Sequence, residues 1–386
     1  MSPLPPLRGH ELERRSLVDA AASGRISGSL LLHGPGGVGK QRLALWLGQL
    51  LLCASPTKDG PCGQCHACRM ALRLEHPDLH WFFPMPRPKV SGGAERMIEA
   101  MEDARHAELA ARRENPHRAV APGEPVGIYL GQVQALRRIA AARPAMGARK
   151  VIIVGDGEAL VPQEASQEAA NALLKVLEEP SPDTTIVVTA ADPDALLPTI
   201  RSRLQPIRLR ALPCAVVAQH LREVAGADAA DADRIARLSE GSIGRALAFL
   251  PVDGEAGPLE ELRAHARAVL EAALAGGDEL RHAQALAQAP SGARGAFAQM
   301  LDALILWIRD LAATAAGAED VVVNTDALPW LRSAAAALPS HGDAAARSMR
   351  AVEDTLRLTQ LNVNPQLALS RLLRELRREL TVARPA

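Results

Sequence analysis

The sequence predicts an α/β domain on a parallel sheet, followed by chain that is helical to its end. Three observations predict it. Short apolar, β-branched runs bounded by turn formers recur through the first half, and helical spacing fills the intervals between them. After Ala211 convincing strands disappear, and Leu and Ala recur at helical spacing. At roughly 100–200 residues per domain, a chain of 386 residues holds more than one domain. We expect divisions at 1–210, 211–250 and 251–386, the last in the linker-like stretch Pro251–Pro258.

In chain order, Ser29–His33 reads as a strand running into glycines, and helical spacing follows from Gln41 to Leu52. Trp81-Phe82-Phe83 reads as a core strand in a chain with only 2% aromatic residues; base stacking is its weaker alternative. The segment Pro84–Pro125, bounded by prolines and of mixed charge, reads as a surface insertion, in part without fixed structure. Within it Ala94–Glu114 can form a helix, with Met97, Ile98, Met101 and Leu109 loosely on one side. Lys150–Val154 and Thr184–Thr189 are β-branched strands, and no repeat of fixed period is visible.

Composition narrows the function class. Basic and acidic residues balance at 44 each, which excludes a chain held on nucleic acid by net charge alone, though not a local basic patch. No apolar run approaches the roughly 18 residues of a membrane span. The opening Met-Ser-Pro-Leu-Pro-Pro-Leu-Arg lacks the order of a secretory signal, so a cytoplasmic home is expected. Lysines are scarce (Lys40, Lys58, Lys89, Lys150, Lys175), and one of them lies in a glycine-rich loop.

That loop, Gly34-Pro35-Gly36-Gly37-Val38-Gly39-Lys40-Gln41, follows a strand and opens a helix. Glycines let successive N–H groups turn in around a polyphosphate, the helix N-terminus adds its dipole, and Lys40 would reach the terminal phosphates. The next position calls for Ser or Thr, whose hydroxyl holds Mg²⁺; here it is Gln41. Nucleotide binding is therefore expected to be possible, while ordered Mg²⁺ binding is in doubt. The strand 151–154 departs as well. Hydrolytic members of this class end it in Asp-Glu, for the metal and for the attacking water. This chain has Gly155-Asp156-Gly157-Glu158: Asp156 can be the metal-side carboxylate, the catalytic slot holds Gly157, and Glu158 is offset so as to point elsewhere.

Cys53, Cys62, Cys65 and Cys68 place four of five cysteines in one short stretch broken by turn formers. Four thiolates so spaced can close a tetrahedral structural Zn²⁺ site. Disulfides are disfavoured by a reducing compartment and the leftover fifth cysteine. An iron–sulfur cluster is a weaker alternative, and His66 could replace one sulfur. Cys214 is expected to be buried among apolar groups.

Together the phosphate loop, the cysteine knuckle after its helix and His76-Pro77-Asp78 resemble the clamp-loader subunits of bacterial DNA polymerase III, which are AAA+ proteins. Ala169-Ala170-Asn171-Ala172-Leu173-Leu174-Lys175-Val176-Leu177-Glu178-Glu179-Pro180 is very similar to their most recognisable block. Thr199-Ile200-Arg201-Ser202-Arg203-Leu204 is similar to their Ser-Arg-Cys motif, with Leu204 in place of Cys. Gly241-Ser242-Ile243-Gly244-Arg245 resembles the lid helix, and Leu361-Asn362-Val363-Asn364-Pro365-Gln366 the last collar helix. The resemblance covers 8–250 and 355–376. It implies an AAA+ P-loop domain, a helical lid and an all-helical collar. Gln41, Gly157 and Thr189-Ala190-Ala191-Asp192-Pro193 align it with the delta-prime type, whose ATPase parts are typically degraded; the retained Gly39-Lys40 cuts the other way.

The resemblance further implies gamma/tau and delta neighbours in a hetero-pentamer, with the sliding clamp and primed DNA reached through the complex and no membrane. Arg203 would serve as an arginine finger in trans, with Arg201 a helper or a surface charge, and pairing of Arg203 inside its own domain is the alternative. Arg245 would touch nucleotide at this chain's own loop, or face water beside Glu240. Asn171, Lys175 and Glu178 share one helical face and fit packing or communication. In the collar, where subunits of the family meet through apolar helix faces, Trp307 and Trp330 are candidate packing anchors, with a plain core role the alternative. Two other functions compete: a gamma-type ATPase motor, and a zinc-stabilised P-loop phosphotransferase, which the Leu-Glu-Glu-Pro block and the helical C-terminal half disfavour.

Overall fold

A computed structural model describes residues 4–115, 126–160, 168–275, 277–288, 294–338, 343–359, 361 and 363–381. The described chain forms two compact units. The first takes the residues up to His220 with Gly241–Gly244; the second takes Leu221–Glu240 and the residues from Arg245 onward.

The first unit is built on strands β1 (Ser29–His33), β2 (Leu79–Phe82), β5 (Lys150–Val154), β6 (Thr184–Ala190) and β7 (Gln205–Arg208). They form one parallel sheet in the order β2-β5-β6-β1-β7. Two-residue strands β3 (Met85–Pro86) and β4 (Val126–Gly127) pair separately. Alternate side chains leave a strand on opposite faces, and both faces are covered. Leu30, Leu32, Val151, Ile153 and Val187 pack in one apolar cluster, whereas Leu31, Ile152, Val154, Ile186 and Val188 pack in another. This two-sided burial explains why the strands read as unbroken apolar runs.

Helices α1 (Glu11–Ala22), α2 (Lys40–Leu52) and α3 (His66–Leu72) precede β2. The expected 94–114 helix is present as α4 (Ala94–Glu114), but it is no surface decoration. Met101 and Leu109 belong to the first cluster and Ile98 to the second, so α4 reaches around the β2 end of the sheet. Arg105 stacks over Phe82, and Arg112 lies 4.0 Å from the Phe83 ring centre and 4.7 Å from that of Trp81. Charge balance made the segment look solvated, while its arginines snorkel over aromatic faces. Residues 116–125 of the expected insertion lie outside the described residues.

Buried Gln132 closes the first turn of α5 (Leu130–Ala141), accepting from Tyr129 N–H at 3.0 Å and donating to the Phe83 carbonyl at 3.1 Å. Lys150 closes the other end: its ammonium donates to the Ile139, Ala140 and Ala142 carbonyls, satisfying acceptors that a helix C-terminus leaves open. Next come α6 (Glu168–Glu178) and the single turn α7 (Pro198–Arg201).

From Cys214 the chain is helical, as expected: α8 (Cys214–Ala225), α9 (Ala229–Leu238) and α10 (Ile243–Phe249). Cys214 is exposed rather than buried, because it sits at the first position of α8 on its outward side. The stretch 251–258 holds a tight turn, Val252 and Glu255 exchanging backbone hydrogen bonds at 3.0 Å across Asp253-Gly254. Then follow α11 (Pro258–Ala275), α12 (Asp278–Ala287), α13 (Arg294–Ala315), α14 (Leu328–Ala336), α15 (Asp343–Thr359) and α16 (Pro365–Thr381). Their core centres on Trp307, Leu304, Ile308, Leu369, Leu372 and Leu376. Trp307 lies in that core and Trp330 packs against it, the two meeting edge to face at 5.6 Å, which is the plain core role. Asn362, in the collar-like motif, lies outside the described residues. No helix among the described residues is long and apolar enough to cross a membrane.

Candidate functional site

The glycine-rich loop connects β1 to α2, and its first glycine has no substitute. Gly34 has φ 140°, and a Cβ there would stand 2.1 Å from the Leu209 carbonyl oxygen. Lys40, nearly buried, turns back into the loop and donates to the Gly34 and Pro35 carbonyls, both at 2.8 Å. Burial pulls its pKa below the usual lysine value, against the opposing pull of Asp156 and Glu158. Two residues outside the motif brace the loop. His10 Nε2 donates to the Val38 carbonyl at 2.8 Å, and Gly244 N–H donates to the Gly37 carbonyl at 3.0 Å. Neither was legible from the motif, since one precedes it by a whole helix and the other follows it by about half the chain.

At the C-terminal end of β5, Gln41 and Asp156 meet directly, Gln41 Nε2 donating to Asp156 Oδ2 at 2.8 Å. Asp156 adopts φ 50°, and its N–H donates to Thr189 Oγ1 at 2.9 Å. The carboxamide rests on Gly155, where a Cβ would come within 2.8 Å of Gln41 Cδ and Oε1. Gly157 is buried, and the space its side chain would need is taken. A Cβ would lie 2.7 Å from Val188 Cγ1 and 3.3 Å from Leu196 Cδ2. Glu158 turns aside to accept the Ala191 N–H at 2.7 Å, and burial raises its pKa.

Arg203 sits partly exposed after α7. Its guanidinium bridges Glu178 Oε1 at 2.7 Å and donates to the Thr199 carbonyl at 2.8 Å. Arg201 pairs with Asp194. Helix α6 buries Ala170, Leu173, Val176 and Leu177 and leaves Asn171, Lys175 and Glu178 exposed, so the polar face reaches Arg203. In the second unit Arg245 lies 3.3 Å from Glu240 Oε2.

The four cysteine sulfurs lie within 4.8 Å of one another. The Cys62–Cys68 and Cys53–Cys65 separations are 3.9 Å, far beyond a disulfide bond. A tetrahedron of sulfurs at about 2.3 Å from a zinc ion has edges of about 3.8 Å, so the set fits such an ion. Backbone N–H groups of Cys62, Cys65 and Cys68 point at the sulfurs of Cys53, Cys62 and Cys65, favouring thiolates. Donation from Cys65 and Gln64 takes Cys62 down to about 6. These residues can hold a metal ion. His66 is not in the group.

His76-Pro77-Asp78 is a scaffold element. Buried Asp78 accepts the N–H groups of Ala145, Met146 and Gly147 at 2.5, 2.8 and 3.0 Å, fixing the loop that leads into β5.

The model of the family described as DNA polymerase III, delta subunit, matches residues 9–213. The chain is 34% identical over 173 residues to DNA polymerase III subunit delta' of Pseudomonas aeruginosa, covering 45% of this chain and 40% of that protein. It is 30% identical over 238 residues to the same subunit of Escherichia coli K12, covering 61% and 58%. A solved DNA polymerase III gamma-subunit-related protein of Thermotoga maritima is 18% identical with a TM-score of 0.41, covering 94% of this chain and 99% of its own. The chain thus spans less than two thirds of the length of both curated relatives, yet the family match takes in the sheet, the phosphate loop, the cysteine knuckle and Arg203. By that match, the chain belongs to the DNA polymerase III delta subunit family.

Proposed function

We propose that the chain is a clamp-loader subunit of the delta-prime type in the replicative DNA polymerase III holoenzyme of the cytoplasm. It would join gamma/tau and delta subunits in a hetero-pentamer, help ATP-dependent loading of the sliding clamp on primed DNA, and have weak or no ATPase of its own. One observation carries the reading. Gln41 is hydrogen-bonded to Asp156 at the metal-side position, while Val188 and Leu196 fill the place of a catalytic carboxylate at Gly157. Gly34, Pro35, Gly36, Gly37, Val38, Gly39, Lys40, Gln41, Asp156 and Arg245 are assigned to nucleotide contact on this reading, and Cys53, Cys62, Cys65 and Cys68 to a structural Zn²⁺. On this reading 1–210 would be the AAA+ domain, 211–250 the lid and 251–386 the collar.

Arg203 acts on ATP held by a neighbouring motor subunit. Its half-exposed ion pair with Glu178 is of the kind worth at most about 1 kcal/mol, so it can be exchanged for a partner's phosphate. An arginine finger can be worth about 10³–10⁵ in rate. Reconstitution with gamma or tau and delta tests this. Arg203→Ala should suppress ATP hydrolysis by the assembled loader while this subunit stays folded, and unchanged hydrolysis rejects the assignment. A gamma-type motor is the second reading, favoured by the intact Gly39-Lys40; steady turnover of ATP by the isolated chain would establish it instead.

A further inference from the structure

The groups around the phosphate loop do not fit the divalent cation that such loops ordinarily share with their nucleotide. Mg²⁺ requires oxygen ligands at about 2.0–2.1 Å. At the position that normally supplies a hydroxyl, Gln41 presents its NH₂ group, which donates to Asp156 Oδ2 at 2.8 Å. Flipping the amide would set its oxygen against a carboxylate oxygen, two acceptors face to face, so Asp156 fixes the orientation. Gly155 completes the set: any side chain there would press on the carboxamide at 2.8 Å. Gln41, Gly155 and Asp156 are therefore matched to one another, with an N–H donor standing between the loop and the carboxylate.

We propose that this loop binds the polyphosphate of a nucleotide without a divalent cation, Gln41 standing where the metal would stand between phosphate and Asp156. The inference rests on reading the loop as a nucleotide site. Gln41 Nε2 carries two hydrogens and spends one on Asp156, leaving the other for a phosphate oxygen. Lys40 Nζ carries three and spends two on loop carbonyls. These donors and the loop N–H groups supply the positive field, and the hydrogen bond to Gln41 moderates the repulsion between Asp156 and phosphate.

The test measures binding of a fluorescent ADP analogue to the full chain by anisotropy, in EDTA and in excess Mg²⁺, with unlabelled ADP as competitor. The wild-type Kd should agree within about threefold between the two conditions. Gln41→Thr, which supplies a hydroxyl and releases Asp156, should bind about tenfold more tightly in Mg²⁺ than in EDTA. Lys40→Ala should abolish binding in both, and Lys40→Gln, which keeps most of the buried side-chain volume, guards against misfolding as the cause. Tenfold loss of wild-type binding in EDTA overturns the proposal while leaving the nucleotide reading intact. Absence of binding in both conditions, or binding indifferent to both Lys40 variants, overturns the nucleotide reading and the proposal with it.

Discussion

Replacing Gly157 by alanine would place a methyl group 2.7 Å from Val188 Cγ1 and 3.3 Å from Leu196 Cδ2. Ordinary carbon contacts are about 3.5–4.0 Å, and Val188 lies in the middle of the sheet with no exposed surface. Overpacking of this kind costs about 1–3 kcal/mol. Val188→Ala alone removes two buried methyl groups and should cost about 2 kcal/mol. In the double variant the new methyl enters the vacated space, so the two costs should fall short of additivity by about 0.5–3 kcal/mol. Glutamate at 157 would be worse than alanine, and a hydrolytic carboxylate could not simply be put back. Tryptophan fluorescence would mix Trp46 and Trp81 with Trp307 and Trp330 of the other unit. Hydrogen exchange by mass spectrometry on peptides spanning β5 and β6 is the suitable assay. Strict additivity, or Gly157→Ala with undiminished protection, would refute the packing argument.

Three further outcomes are expected. Burial pushes the Asp78 carboxyl up, but three N–H donors and His76 more than reverse this and hold it below the usual range. A depressed folded pKa stabilises fully above the unfolded value of about 3.9 and is lost as pH falls through the folded one; Asp78→Asn should therefore flatten the acid limb of a stability–pH curve, and an unaltered limb would show that the carboxylate does not matter. Native mass spectrometry should find one zinc per chain, removed by Cys68→Ser and untouched by Cys214→Ser, with faster exchange in 53–68 on chelation; a metal-free chain with equal protection would sink the zinc assignment. Glu178→Ala should change stability by less than about 1 kcal/mol in a melting curve, because its ion pair is half exposed; a loss of several kcal/mol would mean that Arg203 is held as scaffold.

Much of this was readable beforehand because it is local. Strands 29–33 and 150–154 and the helix 94–114 coincide with apolar runs and spacing, and the cysteine cluster follows from short turns between thiols. What escaped was long-range. The burial of α4 depends on arginines stacked over Trp81 and Phe83, an arrangement that hydropathy scores as solvated. Exposure of Cys214 depends on which side of α8 faces outward. Gln41 could be seen as a departure, but its bond to Asp156 spans more than a hundred residues, and the room for it at Gly155 appears only when strand and helix are side by side. His10 and Gly244 brace the loop with nothing in their own neighbourhoods to announce it.

The position of α4 bears on how the chain survives its own synthesis. Strand β2 ends the sheet, and an uncovered terminal strand offers a row of backbone donors and acceptors to any other extended chain. By burying side chains in the clusters on both sheet faces, α4 stands guard over that margin. A deletion of 94–114 that left the phosphate loop, the thiols and Arg203 intact would nonetheless be expected to yield insoluble protein.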